Sequence, residues 1–489
     1  MPWLTILGFL PLLGALVTTL VKGRPRIPIG LGFAVVTFAI AVWAVTQRAS
    51  LGESYSWIPQ IGAHYALRMD GLSALLVLVT TFLVAVVILT RWGSERWFNL
   101  PPLALALESA ALFTFLADDV LVFFIAFEVT LIPMYFLIAA GNKAKRSAAA
   151  LKFLLYSLAG GLVLLGGVVY LIAVAQGGLS FGDLGGLSLT PGVERTLFLV
   201  FFVSFAIKAP LVPLHPWLPD AVEQSRPAAS VLLVGVLDGI GLYGMVRFCI
   251  GITPAGATWA AFGIEVVALV TVVYGAFAAI ASRSLMRLVA FTSISHAGFM
   301  VLGLFAFTTA AMNGAMTYVG AHALSATALI LVAGWAVKRR GDDLAKGAFG
   351  GLARRTPVLA GVFLLSGLAT LALPGTANFA AELAIIVGTW ARHPVIVAVA
   401  LLGVLAAGVY VLWAYQRVFT GAAADDSDLV AEGLPQPGDI RRVSRLAIGL
   451  VLAGVIAFGV YPGAAQLLVG DNVTQAMSQA HMTDPEGGR

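Results

Sequence analysis

Fourteen apolar stretches, each long enough to cross a bilayer, run through this chain from end to end. They fall at 2–21, 28–46, 69–90, 100–116, 118–140, 148–175, 195–216, 227–250, 257–281, 285–309, 312–337, 357–391, 394–419 and 443–467. The hydrocarbon core of a membrane is about 30 Å thick and takes roughly 20 helical residues to span. It offers no water to satisfy backbone N–H and C=O groups, so spans of this length must be helical. The 489 residues are 60% hydrophobic and only 11% charged, with a mean hydropathy of +0.96. Soluble domains carry about 25% charged residues. The expected fold is an all-α polytopic membrane protein, which excludes a globular enzyme. The boundary between the fourth and fifth spans rests only on Asp118-Asp119.

The basic residues orient these spans. Loops joining odd-numbered to even-numbered spans hold 22 of the 29 lysines and arginines. The other loops and the C-terminal tail hold six, namely Arg48, Arg68, Arg195, Arg247, Arg392 and Arg489, and Lys208 is left inside a span. Cytoplasmic loops carry the excess of positive charge, so both termini are expected to be extracytoplasmic. In the first apolar run Lys22, Arg24 and Arg26 follow the hydrophobic residues, the reverse of a secretory signal. The single cysteine, Cys249, excludes an intramolecular disulfide framework and a thiolate-rich metal or iron–sulfur site.

Two spans are interrupted. The seventh meets Pro210 and Pro213 just after Lys208, and the twelfth breaks at Leu373-Pro374-Gly375-Thr376-Ala377-Asn378, shortly before Glu382. Grouping spans four to eight and nine to thirteen puts each break in the fourth position of a five-span unit. An odd number of spans per unit inverts the second unit relative to the first. Paired interruptions of this kind point to an inverted-repeat transporter with its sites near the bilayer midplane, although proline and glycine are frequent in membrane helices generally. The expected organisation is three N-terminal spans (1–97), a first repeat (98–250), a second repeat (251–420), and a cytoplasmic loop, last span and polar C-terminal tail (421–489). The acidic Asp425-Asp426-Ser-Asp428 and basic Arg441-Arg442-Val-Ser-Arg445 segments of that loop read as a solvated linker and a positive anchor.

Few ionisable residues lie inside the spans: Glu108, Glu128, Lys208, Asp238, Glu265, His296, His322 and Glu382. A charge at bilayer depth costs roughly 3 kcal/mol or more, and marks a transport path by default. Burial and an opposite charge shift a titration in opposite directions, so a buried Glu–Lys pair can be toggled, and histidine relays protons near neutral pH. Such a set can pass protons without making or breaking other bonds. Other readings stand beside this one. Glu108 also fits a simple polar contact between helices, Glu265 could snorkel to the interface, and His296 and His322 could be packing residues. Gly-rich nucleotide loops, cysteine clusters and His-Glu-x-x-His pairs are absent from the sequence, and nothing in it suggests a nucleic-acid partner.

Several segments resemble one known family. Asp118-Asp-Val-Leu-Val-Phe-Phe-Ile-Ala-Phe-Glu128-Val-Thr-Leu-Ile-Pro133 is similar to the fifth helix of the M-type antiporter-like subunit of proton-pumping NADH:quinone oxidoreductase, respiratory complex I. Lys152-Phe-Leu-Leu-Tyr156, Phe205-Ala-Ile-Lys208, Pro213-Leu-His-Pro-Trp-Leu-Pro-Asp220, Thr292-Ser-Ile-Ser-His296, Ala321-His322-Ala-Leu-Ser325 and Leu373-Pro-Gly375 follow in family order. The resemblance implies roles by position. Glu128 and Lys208 form the coupled pair of a first half-channel, His296 and His322 belong to a central polar axis, and Glu382 is the terminal carboxylate of a second half-channel. The glutamate at 382 resembles the M-type, since sister subunits carry lysine there. The resemblance further implies a non-redox subunit of the bacterial cytoplasmic membrane, packed against sister antiporter-like subunits. Flavin, iron–sulfur clusters and quinone would belong to partner chains, with no cofactor or metal in this one. One position departs. Where the family places a second lysine in the eighth span, before Gly241-Leu-Tyr243-Gly244, this chain has Gly239. Asp238, with Glu265 and water beside Gly239, is the expected substitute. The alternatives are an Mrp-like sodium/proton antiporter subunit without a redox partner, or an accessory copy that pumps poorly.

Overall fold

The structure, a computed structural model, describes residues 1–92, 99–140, 144–175, 177–340, 344, 351–421 and 438–485. The acidic segment at 425–428 and Arg489 lie outside them. All fourteen apolar stretches carry helix, and eleven helices among the described residues are long and apolar enough to cross a membrane. The tenth (Leu285–Phe305) and eleventh (Thr309–Arg340) spans are enclosed almost completely by the rest of the bundle, whereas the first, second and fourteenth leave most of their surface outside. This gradient reflects residue size and polarity. The tenth span buries Thr292, Ser293, Ser295 and His296, which need protein partners.

The Asp118-Asp119 boundary holds because Asp119 caps a helix. Its Oδ1 accepts from Leu121 N at 2.8 Å and Val122 N at 3.3 Å, and its Oδ2 accepts from His64 N at 2.9 Å. Helix start and loop are thereby tied to one fully buried carboxylate.

Both interruptions appear where the prolines place them. Helix Pro191–Lys208 stops at Lys208, and a short helix, Trp217–Gln224, resumes after the turn. Trp217 Nε1 donates to Ile207 O at 2.9 Å, and so takes up a carbonyl that the break leaves without an intrahelical donor. The twelfth span divides into Pro357–Thr370 and Ala377–Trp390, with Gly375 at φ +88° in the turn between them. The eighth span, Pro227–Ile250, contains two π-helical stretches, Leu233–Leu237 and Met245–Ile250, on either side of Asp238–Gly244. Wide turns of this kind inside an α-helix frequently accompany functional sites.

The all-α polytopic fold class holds, with one small addition: Gly52–Ile58 and Ala63–Arg68 pair as an antiparallel hairpin between the second and third spans. The C-terminal segment is not the expected polar tail. The fourteenth span ends at Val460 and a further helix, Gly463–Gln479, packs on the third span. Its Asn472 is the fastener. Leu72 N donates to Asn472 Oδ1 at 2.9 Å, and Asn472 Nδ2 donates to Asp70 Oδ2 at 2.8 Å. Asp70 also caps the third span and pairs with Arg247. Asn472→Ala removes both bonds and leaves a buried N–H unpaired. The expected cost is about 1–3 kcal/mol, measured as a lower melting temperature of the purified protein.

Candidate functional site

A file of ionisable groups, half-buried at Glu128 and buried from Lys208 onward, runs through the bundle. Glu128 projects from the fifth span toward Gly161 of helix Ala144–Val174. A Cβ added at Gly161 would lie 2.6 Å from Glu128 Cδ and 2.8 Å from Oε2, so the carboxylate occupies the space that a side chain at 161 would take. Lys208 stands in the last turn of its helix, 1% exposed. The negative end of a helix dipole favours a cation there. Its Nζ lies 4.6 Å from the centroid of the Phe127 ring and 5.9 Å from that of Phe153, within the range of cation–π attraction. Glu128 and Asp238 are both within electrostatic reach of Lys208. Yet Lys208 Nζ, Glu128 Oε1 and Asp238 Oδ1 have no hydrogen-bond partner in the protein. The three groups share a field without being hydrogen-bonded to one another.

The second cluster sits between the tenth, eleventh and twelfth spans. His296 Nδ1 and His322 Nδ1 are 3.1 Å apart, so one ring must donate while the other accepts, and the contact holds one proton between two bases. The Tyr318 ring centroid is 5.7 Å from that of His296, and its hydroxyl donates to Glu382 Oε2 at 2.8 Å. Ser325 Oγ donates to Asn378 Oδ1 at 3.1 Å, which ties the twelfth-span break to the same helix as His322. Tyr318 and His322 are four residues apart on one helix. That spacing was available in the sequence and would have singled out Tyr318.

The structure separates other candidates from this file. Glu108 is fully buried in the fourth span, with neither carboxylate oxygen hydrogen-bonded by the protein. Glu265 does not join Asp238, nor does it snorkel; it is buried beside His393, in the N-terminal half of the ninth span. The space beside Gly239 is occupied by side chains. A Cβ there would sit 3.1 Å from Val319 Cγ1 and 3.6 Å from Leu76 Cδ2. At the basic-loop end the motif residues Lys152 and Asp220 pair at 2.6 Å, and Arg287 bridges Asp220 and Glu223 at 3.0 Å each. This cluster anchors the short helix after the seventh-span break to the sixth and tenth spans.

Residues 117–408 match the family described as NADH:quinone oxidoreductase/Mrp antiporter, TM. The chain belongs to that family. It is 37% identical to NADH-quinone oxidoreductase subunit M of Mycobacterium tuberculosis, over 99% of this chain and 95% of that one. It is 32% identical to the subunit M of Rhodobacter capsulatus, over 98% and 97%. Among solved structures it superposes on a chain of respiratory complex I from Thermus thermophilus with a TM-score of 0.88 and 27% identity, covering 98% of this chain and 99% of that one. A chain of the Mrp complex from Dietzia gives a TM-score of 0.86 at 22% identity, covering 98% of this chain and all of that one, and shares the fold. The family match spans every member of the file from Glu128 to Glu382.

The Gly161–Glu128 contact predicts a sharp contrast within one helix. Gly161→Ala must push the flexible end of Glu128 aside, so it is expected to lower proton translocation while changing the melting temperature little. Gly166→Ala meets nothing within 4 Å and should leave the melting temperature unchanged or slightly raised.

Proposed function

We propose that this chain is the non-redox, proton-translocating M-type membrane subunit of a complex I-type donor:quinone oxidoreductase. The observation that carries this reading is the run of ionisable groups from half-buried Glu128 through buried Lys208, Asp238, His296 and His322 to Glu382, punctuated by two helix breaks. Glu128 and Lys208 act as the switch of the first half. When Glu128 takes a proton, its hold on Lys208 weakens, and the ammonium releases a proton toward the second half. The His296–His322 pair passes that proton by exchanging donor and acceptor roles, and Tyr318 hands it to Glu382. The chain itself needs no cofactor for this. Flavin, iron–sulfur clusters and quinone reside in partner subunits, and sister antiporter-like subunits flank it in the membrane. Spans four to eight and nine to thirteen act as the two inverted halves, and the excess of basic residues in alternate loops puts both termini on the extracytoplasmic side of a bacterial cytoplasmic membrane. Identity of 37% across nearly the whole length of a subunit M favours this assembly over an Mrp-like antiporter, for which the likeness is one of fold.

The test uses the intact assembly in sealed membrane vesicles, with donor oxidation and proton translocation followed together. Lys208→Ala and Glu382→Gln are each expected to lower the protons moved per electron pair while electron transfer with an uncoupler persists. Unchanged stoichiometry in both variants overturns the reading. Gly239→Lys addresses the departure from the family pattern. With Asp238 serving in place of the lysine, the native chain pumps and Gly239→Lys brings no gain. A native chain that does not pump, and gains pumping with Gly239→Lys, rules out Asp238 as the substitute.

A further inference from the structure

Glu265 and His393 form a second acid–base site, separate from the file that ends at Glu382. Glu265 is 0% exposed on the ninth span, while the His393 side chain is 35% exposed in the turn before the thirteenth. His393 Nδ1 lies 2.6 Å from Glu265 Oε2 but off the line of a hydrogen bond, so neither carboxylate oxygen is satisfied by the protein. A buried carboxylate in this condition is strongly disfavoured unless it shares or holds a proton. A cavity of about 480 Å³ opens onto the pair, walled by Phe262, Phe305, Arg392 and Met482.

The charged groups around the pair are few. Arg392 is within electrostatic reach of Glu265, and is fixed by Phe307 O at 2.9 Å and Thr483 O at 2.5 Å. From the seventh span Glu194 accepts from Ala255 N and Gly256 N, and Arg195 lies over the Trp259 ring. From the C-terminal segment Asp484 accepts from Thr309 N. Burial, with the Arg392 guanidinium, holds His393 below its ordinary value, so the ring rests neutral and gives up readily any proton it takes from Glu265.

A polar path leads from the described file to this pair. Thr389 follows Glu382 by two helical turns on the same face of Ala377–Trp390. Its Oγ1, and Asn313 Oδ1 near the start of the eleventh span, are buried without protein partners. The two helix ends are in close contact, since a Cβ at Gly388 would lie 2.6 Å from Thr308 Oγ1. Arg392 and His393 come directly after.

We propose that Glu265 and His393 are the proton-release site of the Glu382 half, discharging through the adjoining cavity beside the N-terminal half of the ninth span. The proton leaves Glu382 along Thr389 and Asn313, enters the Glu265–His393 pair, and departs to bulk water from the exposed face of His393. This inference rests on the proton-translocating reading above.

The experiment compares Glu382→Gln, Glu265→Gln, Glu265→Asp and His393→Ala in the intact assembly, in vesicles scored for protons moved per electron pair. Glu265→Gln and His393→Ala should fall to the level of Glu382→Gln, and Glu265→Asp should retain translocation. Infrared difference spectra should lose one protonated-carboxyl band in Glu265→Gln, a change that a merely structural role would not produce. If Glu382→Gln lowers translocation while Glu265→Gln and His393→Ala match the native protein, the release site is wrong and the functional reading stands. If Glu382→Gln itself matches the native protein, the functional reading falls. Sidedness gives an independent readout, because the chain has only the buried Cys249. In a His393→Cys variant, a membrane-impermeant maleimide should react in right-side-out vesicles; reaction only in inverted vesicles overturns the assignment.

Discussion

The burial of the Lys208 ammonium without a hydrogen-bond partner is the constraint around which the centre of this bundle is organised. A charge in this position has no stabilising bulk water and no single fixed counter-ion, so its surroundings must supply a favourable potential from several sources. The structure supplies three. The seventh span ends at Lys208, so the negative end of a helix dipole faces the cation. Phe127 and Phe153 present ring faces to it. Glu128 and Asp238 lie within electrostatic range from two other helices. Close packing follows from this. Gly161 makes room for Glu128, and a Cβ at Gly241 would lie 2.6 Å from Ala209 N, so the eighth span comes against the break itself.

The two breaks share a principle with opposite polarity. In the seventh span a cation sits at the end of a helix. In the twelfth a carboxylate, Glu382, sits in the second turn of a helix that begins just before it, on the side of the positive end. Each interruption turns an ordinary membrane helix into a half-helix whose terminal dipole matches the charge beside it. An uninterrupted span would have its dipole ends at the membrane surfaces, too far away to act. The prolines and Gly375 are therefore electrostatic devices as well as steric ones.

The spans, both breaks and most of the file were legible in the sequence, because each is a one-dimensional signal: an apolar run, a proline in it, a charge in it. The features that escaped depend on what faces what. The hairpin at Gly52–Ile58 and Ala63–Arg68 lies in a short polar interval with weak alternation, and its burial comes from the cap at Asp119 far along the chain. Helix Gly463–Gln479 lacks the hydropathy of a span, and its place depends on Asn472 reaching Asp70. Tyr318 stands one helical turn before His322, a spacing legible in the sequence, but its contact with Glu382 comes only from tertiary packing. His393 was invisible, since only tertiary packing brings it to Glu265. For the same reason Glu265 was grouped with Asp238, which the fold places elsewhere.

Gly239 shows how local packing and charge balance decide the same question. Val319 and Leu76 close the space that a lysine side chain would have to enter, so the departure is accompanied by a filled core, not by an aqueous gap. The neighbouring Asp238 then changes the charge count at the switch. Lys208 faces two carboxyl groups, Glu128 and Asp238, instead of one carboxylate and a second amine. A buried set of one ammonium and two carboxyls is neutral when one carboxyl keeps its proton, and uncompensated charge in such a site is strongly disfavoured. On the proposed function, the resting triad stores one proton. When Glu128 takes that proton, Asp238 is the carboxylate left to receive the proton that Lys208 releases. On this argument an aspartate beside Lys208 can serve the onward step that the family assigns to a lysine, with the proton carried on a neutral acid and not on a second cation.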